Sequence, residues 1–164
     1  INRIVVCNGP GNFNGIRASI SAMKGVCCSL PIELIGVNKF QAFSKIKKPA
    51  LISLKYSGNR ICWCILKNEE PIFMNSSEIE DIKITEEYSD LMVVGYKASE
   101  IAKNINVQKF SDQNEVSIRD FLEYSRTIVT PEKFLPNPLY MSSGQYLFTK
   151  YKGPEIFNKP LNAS

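Results

Sequence analysis

Apolar and polar positions at the start of the chain predict a strand, a turn and a helix. Residues 3–8 form a run rich in valine and isoleucine that predicts a buried strand, and the glycines and proline of 9–11 predict a tight turn. Apolar residues recur at helical spacing over 16–30, with Asn14 as the expected N-cap and Pro31 ending the helix. This order is typical of α/β folds.

The pattern then repeats once and changes to antiparallel strands. Residues 32–37 predict a second strand, and 38–46 predict a second helix capped by its first residue, an asparagine. Two strand-like runs, 50–55 and 60–67, flank a Ser-Gly-Asn turn, and a third strand is predicted over 71–74. A hairpin-based sheet therefore follows the second helix.

The rest of the chain predicts one more buried strand, two helices and an irregular tail. Residues 91–96 form the clearest apolar run, and helical patterns cover 99–105 and 117–126. Several prolines stand beyond residue 130, so we expect residues 143–164 to be extended or disordered.

Composition restricts the chemistry. The 164 residues are 44% hydrophobic and 22% charged, as in ordinary globular proteins, and include no histidine. Ser–His and Cys–His nucleophile pairs and histidine metal ligands are therefore excluded within these residues. Five cysteines without a C-x-x-C pair suggest free thiols in a reducing cytoplasm. No apolar run approaches the roughly 20 residues of a membrane span.

Positive charge is concentrated at the start of the chain. Residues 1–50 hold seven basic side chains and one acidic side chain, whereas the remaining residues carry a net −2. The cluster at 45–48 precedes a proline and has no interleaved aromatic residue, which favours a solvated helix end over a nucleic-acid contact. Direct nucleic-acid binding through this basic part is an alternative hypothesis, and it predicts strongly salt-dependent affinity.

A stripe of small side chains runs along the first predicted helix. It lies about 200° from the apolar face at the 100° per residue of an α-helix. Small side chains allow another helix to approach closely. The stripe comprises Ala18, Ala22, Gly25 and Ser29.

The glycine-rich turn before this helix has two interpretations. Glycines permit positive φ and close backbone approach, and the unpaired N–H groups of a helix N-terminus suit a phosphate or carboxylate. The turn equally serves to reverse the chain and cap the helix. It lacks the Gly-Lys-Ser/Thr of a P-loop and the G-x-G-x-x-G dinucleotide spacing. The residues concerned are Gly9, Pro10, Gly11, Asn12, Phe13, Asn14, Gly15, Ile16 and Arg17.

These nine residues resemble the G-P-G-S-F-T-G-[LIV]-R signature of the TsaB (YeaZ-like) family. Members are non-catalytic dimerization subunits in the bacterial synthesis of threonylcarbamoyladenosine in tRNA. Residues 24–27 and 31–38 are similar to the following Lys-Gly-Leu-Ala and proline-led strand, and 138–140 to the closing P-x-Y-L-R. Asn12 and Asn14 replace Ser and Thr, and the acids of the family's hairpin are absent at Ser53 and Asn59. The chain thus resembles a divergent member.

The resemblance implies an α/β protein of the ASKHA (actin, Hsp70 and RNase H-like) two-lobe fold, with the first lobe truncated at its N-terminus. Residues 1–48 would be the C-terminal part of the first lobe, 49–142 the second lobe and 143–164 a tail. The resemblance also implies that the family's opening strand, hairpin and long helix are missing before the glycine-rich signature.

The resemblance also implies a function. The chain would be a cytoplasmic scaffold that pairs with a TsaD-like threonylcarbamoyltransferase and joins a TsaE-like ATPase. ATP and metal would lie on those partners, tRNA would be bound only through the complex, and a homodimer would form when the partner is absent. The glycine-rich loop would be structural, with nucleotide contact as a secondary role. The expected partner interface comprises Ile16, Ala18, Ala22, Gly25 and Ser29.

Two alternatives remain open. The small stripe could pack against the fold's own missing helix instead of a partner. The chain could also be a divergent ASKHA-superfamily enzyme, a kinase or a glycoprotease-type hydrolase. Two observations argue against the enzyme. The chain has no histidine, and the hairpin lacks the carboxylates that would bind Mg²⁺.

Overall fold

The computed structural model describes residues 1–43, 46, 49–68, 70–84, 88, 90–112, 116–131, 135–141 and 146–147. The chain contains both helices and strands, as the predicted α/β class requires. In chain order the elements are β1 (Arg3–Cys7), α1 (Phe13–Cys28), β2 (Glu33–Val37), a 3-10 turn (Gln41–Phe43), β3 (Ala50–Lys55), β4 (Ile61–Lys67), β5 (Glu70–Ser77), β6 (Met92–Gly95), α2 (Ala98–Asn104), β7 (Lys109–Ser111), α3 (Ile118–Thr127) and β8 (Tyr146–Leu147).

The first three elements form a parallel β–α–β unit. β1 and β2 pair in parallel from Arg3 opposite Glu33 to Cys7 opposite Val37. α1 connects them and buries Ile16 and Ile20 against β1. Its remaining positions are half-buried or exposed, so this helix covers the sheet with one narrow face only.

The second sheet has six strands in the order β7-β6-β3-β4-β5-β8. β3 lies near its middle, antiparallel to β4 and parallel to β6, and the two residues of β8 pair with β5. α2 packs on one face through Ile101, against Leu51 and Val93. The other face is covered by Phe40 and Phe43, which belong to the segment that leads from β2 to β3. This segment connects the two sheets.

α3 packs against the two-stranded sheet through Ile128, which joins a cluster with Ile35 and Val37. A capping box between Ser117 and Asp120 starts this helix. Arg3 forms a short ion pair with Glu33 on the neighbouring strand and donates to the carbonyl of Ser125 at 2.7 Å. One arginine thereby ties the end of α3 to both strands.

Two expectations about helices are corrected by the structure. The N-cap of α1 is Asn12, not Asn14, because the Asn12 side chain accepts a hydrogen bond from the Gly15 amide. Of the predicted helix over 38–46, the described residues form a 3-10 turn over Gln41–Phe43. Asn38 does cap this turn as predicted, because the side chains of Asn38 and Gln41 each accept the other's backbone N–H, the reciprocal exchange of a capping box.

Other differences concern strands. β5 extends three residues further than the predicted 71–74 and includes one more at its start, and the short strands β7 and β8 were not expected. Residues 44 and 45 of the predicted second helix lie outside the described residues, as do 47 and 48 of the basic cluster and 143–145 and 148–164 of the predicted tail. Within the described ranges no helix has the length and hydropathy of a membrane span.

Candidate functional site

The glycine-rich loop continues the pairing of β1 and β2 beyond the sheet. The Asn8 amide donates to the carbonyl of Val37 at 3.1 Å, and the Lys39 amide donates to the carbonyl of Gly9 at 2.7 Å. Two backbone hydrogen bonds therefore fix the first residues of the loop, and the chain turns into α1 only after Gly11.

The loop is also bound by residues 135–141, which we call the return segment. The Leu139 amide donates to the carbonyl of Asn8 at 2.7 Å, and the Asn8 side-chain amide donates to the carbonyl of Asn137 at 3.0 Å. Gly9 has φ +129°, and a Cβ there would lie 2.5 Å from the carbonyl oxygen of Leu139. A side chain at residue 9 is thus excluded both by backbone conformation and by the return segment.

A cluster of Phe13, Arg17 and Tyr140 covers the start of α1. The rings of Phe13 and Tyr140 have centroids 4.7 Å apart, and the Arg17 guanidinium carbon lies 4.1 Å from the Phe13 centroid. Arg17 Nε donates to the Tyr140 hydroxyl at 2.8 Å. All three residues belong to motifs that are visible in the sequence, but local spacing does not predict their contact, because 123 positions separate Arg17 from Tyr140.

The helix N-terminus itself is capped within the chain. Asn12 accepts the Gly15 amide through its side chain at 2.9 Å and the Ile16 amide through its carbonyl at 2.9 Å. α1 has no acidic residue in its first turn. Pro10 is buried and Asn14 is exposed. Because Asn12 accepts two amides of the first turn, the loop serves as a turn and a cap. Nucleotide contact by this loop stays a prediction.

The small-residue stripe on α1 lies on the solvent side. Ala18, Ala22, Gly25 and Ser29 are all exposed, and a methyl group added at Gly25 would meet no atom within 4 Å. Larger apolar side chains flank the stripe, with Val26 43% and Leu30 50% exposed. We call the four small residues the docking face.

Ile16 lies on the opposite side of the helix from the docking face. It is only 7% exposed and packs with Val6 and Ile20. The structure therefore separates the predicted interface set into one core residue and four surface residues.

The hairpin positions of the enzyme alternative also have defined contacts. Ser53 is fully buried on β3, and its hydroxyl lies 2.7 Å from the carbonyl of Tyr96 and 3.3 Å from that of Val94, each an acceptor for its proton. Asn59 is exposed in the turn between β3 and β4. The Ser53 hydroxyl thus pairs with backbone carbonyls of the neighbouring strand.

The cysteines do not gather into a site. Burial raises the pKa of the Cys62 thiol to about 12, against smaller opposing effects of Arg60 and Lys39, and burial also raises the pKa of Cys64. Cys28 is exposed on α1. Across the part of the chain that the structure describes, no three His, Cys, Asp or Glu side chains form a group able to hold a metal ion.

Comparison with known proteins identifies the fold. No family model and no curated protein matches the chain. YeaZ from Pseudomonas aeruginosa superposes with a TM-score of 0.63 at 14% identity, over 85% of this chain and 74% of that one. A structure described as an uncharacterized protein with similarity to peptidase YeaZ from Pseudomonas aeruginosa gives 0.60 at 14% identity, over 87% and 74%. The chain has a YeaZ-like, ASKHA-type α/β fold, which confirms the predicted fold class.

Proposed function

We propose that this chain is a non-catalytic scaffold subunit that pairs through α1 with a TsaD-like threonylcarbamoyltransferase during threonylcarbamoyladenosine modification of tRNA. The observation that carries the proposal is the exposed docking face of Ala18, Ala22, Gly25 and Ser29 on a YeaZ-like fold. The resemblance of the loop and helix to the TsaB signature supports the choice of partner.

The geometry of α1 favours a helical partner. Its 16 residues span about 24 Å at 1.5 Å per residue, long enough for several turns of contact. Helices that meet through small residues approach toward the short end of the usual 8–10 Å range, so backbones and flanking side chains make extensive contact. Val26 and Leu30 beside the docking face would then be removed from water, which is favourable.

The remaining parts of the proposal follow from the family. The TsaD-like partner would transfer the threonylcarbamoyl group and hold the metal, and a TsaE-like ATPase would complete a cytoplasmic complex that uses ATP. tRNA would be bound by the complex rather than by this chain alone. When the partner is absent, the docking face would pair two copies of this chain.

The contacts of Ser53 favour the scaffold over a superfamily enzyme. In the enzyme alternative the hairpin would supply carboxylates to Mg²⁺. Ser53 has no carboxylate, and its hydroxyl is buried against the carbonyls of Val94 and Tyr96. Asn59 offers a neutral amide.

Replacement of Ala22 by Trp tests the proposal. The chain is co-expressed with the TsaD-like protein of the same organism and analysed by size-exclusion chromatography with light scattering. We expect a heterodimer with the unmodified chain and two separate species with Ala22→Trp, because an indole overpacks a close helix contact. Residue 22 is exposed, so the variant chain should keep its own unfolding midpoint.

Lys103→Trp on α2 is the matched control, since Lys103 is also an exposed helical position. It should leave the heterodimer intact. Separate species already with the unmodified chain, or normal pairing by Ala22→Trp, would contradict the proposal. In the second case the docking face would instead belong to packing within a longer chain.

Direct tRNA binding is distinguished by salt. Phosphate contacts by several lysines and arginines would make affinity fall steeply with ionic strength. We expect the chain alone to show little binding to labelled tRNA at either low or high salt in an anisotropy titration. Tight, salt-sensitive binding by the isolated chain would favour the nucleic-acid hypothesis.

A further inference from the structure

Arg17 is held in place before any partner arrives. Its guanidinium stacks on Phe13 at 4.1 Å, and its Nε–H is bonded to the hydroxyl of Tyr140. The side chain is nevertheless exposed. Among the described residues, no carboxylate pairs with Arg17 and no acceptor is bonded to its two terminal amino groups. The two terminal amino groups, which can form a bidentate anion contact, thus have no bonded acceptor among the described residues.

The charge along α1 has one sign. Its two charged residues are Arg17 and Lys24, both basic, and the helix has no acidic residue. They stand seven residues apart, which places them on the same flank of the docking face. The other flank carries the exposed apolar residue Val26. A helix that lies on this face meets apolar side chains on one side and positive charge on the other.

We propose that Arg17 is a preorganised contact for a carboxylate on an acidic helix of the partner subunit, at the edge of the docking face. This inference rests on the proposed scaffold function and names the chemistry that the partner must present there. Arginine binds carboxylates through two parallel N–H···O bonds, and Nε is already used by Tyr140, so the two terminal amino groups form the pair.

Because its side chain is already ordered, we expect Arg17 to contribute more to the free energy of partner binding than Lys24. Ordering a long side chain on binding costs free energy, and here the stacking on Phe13 and the bond to Tyr140 have already ordered it. Arginine and aromatic residues are also the side chains most often found to dominate binding energy at interfaces. The return segment, through Tyr140, therefore helps to shape the partner interface.

The test measures the dissociation constant of the full chain and its TsaD-like partner by titration calorimetry at two salt concentrations. Arg17→Ala should raise Kd about tenfold, the effect of an interface residue of moderate importance. Arg17→Glu should raise it further because two negative groups would then meet. The increase in Kd with salt should be smaller for Arg17→Ala than for the unmodified chain.

Tyr140→Phe tests the positioning. It keeps the ring beside Phe13 and removes the hydroxyl that accepts from Arg17, and we expect Kd to rise about threefold. Added to Arg17→Ala, the same change should have no further effect, because its effect acts through the arginine. Lys83→Ala removes an equal charge from an exposed site on the loop after β5 and should leave Kd unchanged.

The remaining outcomes separate the arginine contact from the scaffold function. If Ala22→Trp abolishes pairing but Arg17→Ala and Arg17→Glu bind with unchanged Kd and salt dependence, the arginine contact is refuted and the scaffold function stands. If the unmodified chain does not bind its partner at all, both fall. A variant with a lowered unfolding midpoint is replaced by Arg17→Gln, which keeps part of the aliphatic stem, removes the charge and must show the same loss.

Discussion

Replacement of Gly9 by alanine tests whether the return segment fixes the loop before α1. Gly9 has φ +129°, a conformation available to glycine and strained for other residues. A Cβ at this position would lie 2.5 Å from the carbonyl oxygen of Leu139, below the 3.0 Å limit that real Cβ contacts respect. Either the loop or the return segment must therefore move.

The expected loss of stability follows from the positive φ of Gly9 and from its close approach to Leu139. Backbone strain of this kind costs about 1–3 kcal/mol. Movement of the return segment would also break the hydrogen bond from the Leu139 amide to the Asn8 carbonyl, which contributes about 1 kcal/mol. We expect Gly9→Ala to lower the free energy of unfolding by about 2–4 kcal/mol, a large part of the stability of a small protein.

Gly58→Ala is the matched control. Gly58 also has positive φ, at +58°, but a Cβ there meets nothing within 4 Å. Its cost should be the left-handed conformation alone, about 1 kcal/mol. Urea unfolding followed by the fluorescence of buried Trp63, and by circular dichroism for α1, measures both variants. Equal losses in Gly9→Ala and Gly58→Ala would refute the role of the return segment.

Three further outcomes are expected. Gly25→Ala should raise the free energy of unfolding by about 1 kcal/mol, because alanine favours the helix and its methyl group meets no neighbour. The same change should weaken partner binding, and unchanged binding would count against the docking face. At pH 8 a thiol reagent should modify exposed Cys28 readily but reach Cys62 and Cys64 only after unfolding, and simultaneous labelling would contradict their burial. Because the folded pKa of Cys62 is about 12 and its ordinary value is 9.0, its contribution to stability should be complete below about pH 9 and be lost as pH rises toward 12, seen as a falling urea midpoint.

Periodicity located most elements because each is long enough to show its own pattern. α1, β3, β4 and α3 all fall within a few residues of their predicted bounds. In each, local spacing and burial agree, since one face or the whole strand is packed in the core. The glycine-rich turn was likewise predictable, because positive φ and tight turns restrict the residue type.

Elements whose formation depends on distant partners were missed. β7 and β8 are strands of three and two residues that pair with β6 and β5, and neither has an internal pattern. The predicted helix from Asn38 fails for a related reason. The described residues form a 3-10 turn over Gln41–Phe43, and Phe40 and Phe43 are buried against the second sheet, a packing that local spacing does not reveal.

The candidate site divides in the same way. The sequence alone determined the stripe of small residues on α1, the loop that precedes it and the absence of histidine chemistry in these residues, because each is written in residue types at fixed local spacing. Only the tertiary structure decided that Ile16 is buried while the stripe is exposed, and that Tyr140 returns to hold Arg17. Those features depend on which surfaces the rest of the chain covers, and long-range packing, not local spacing, determines that.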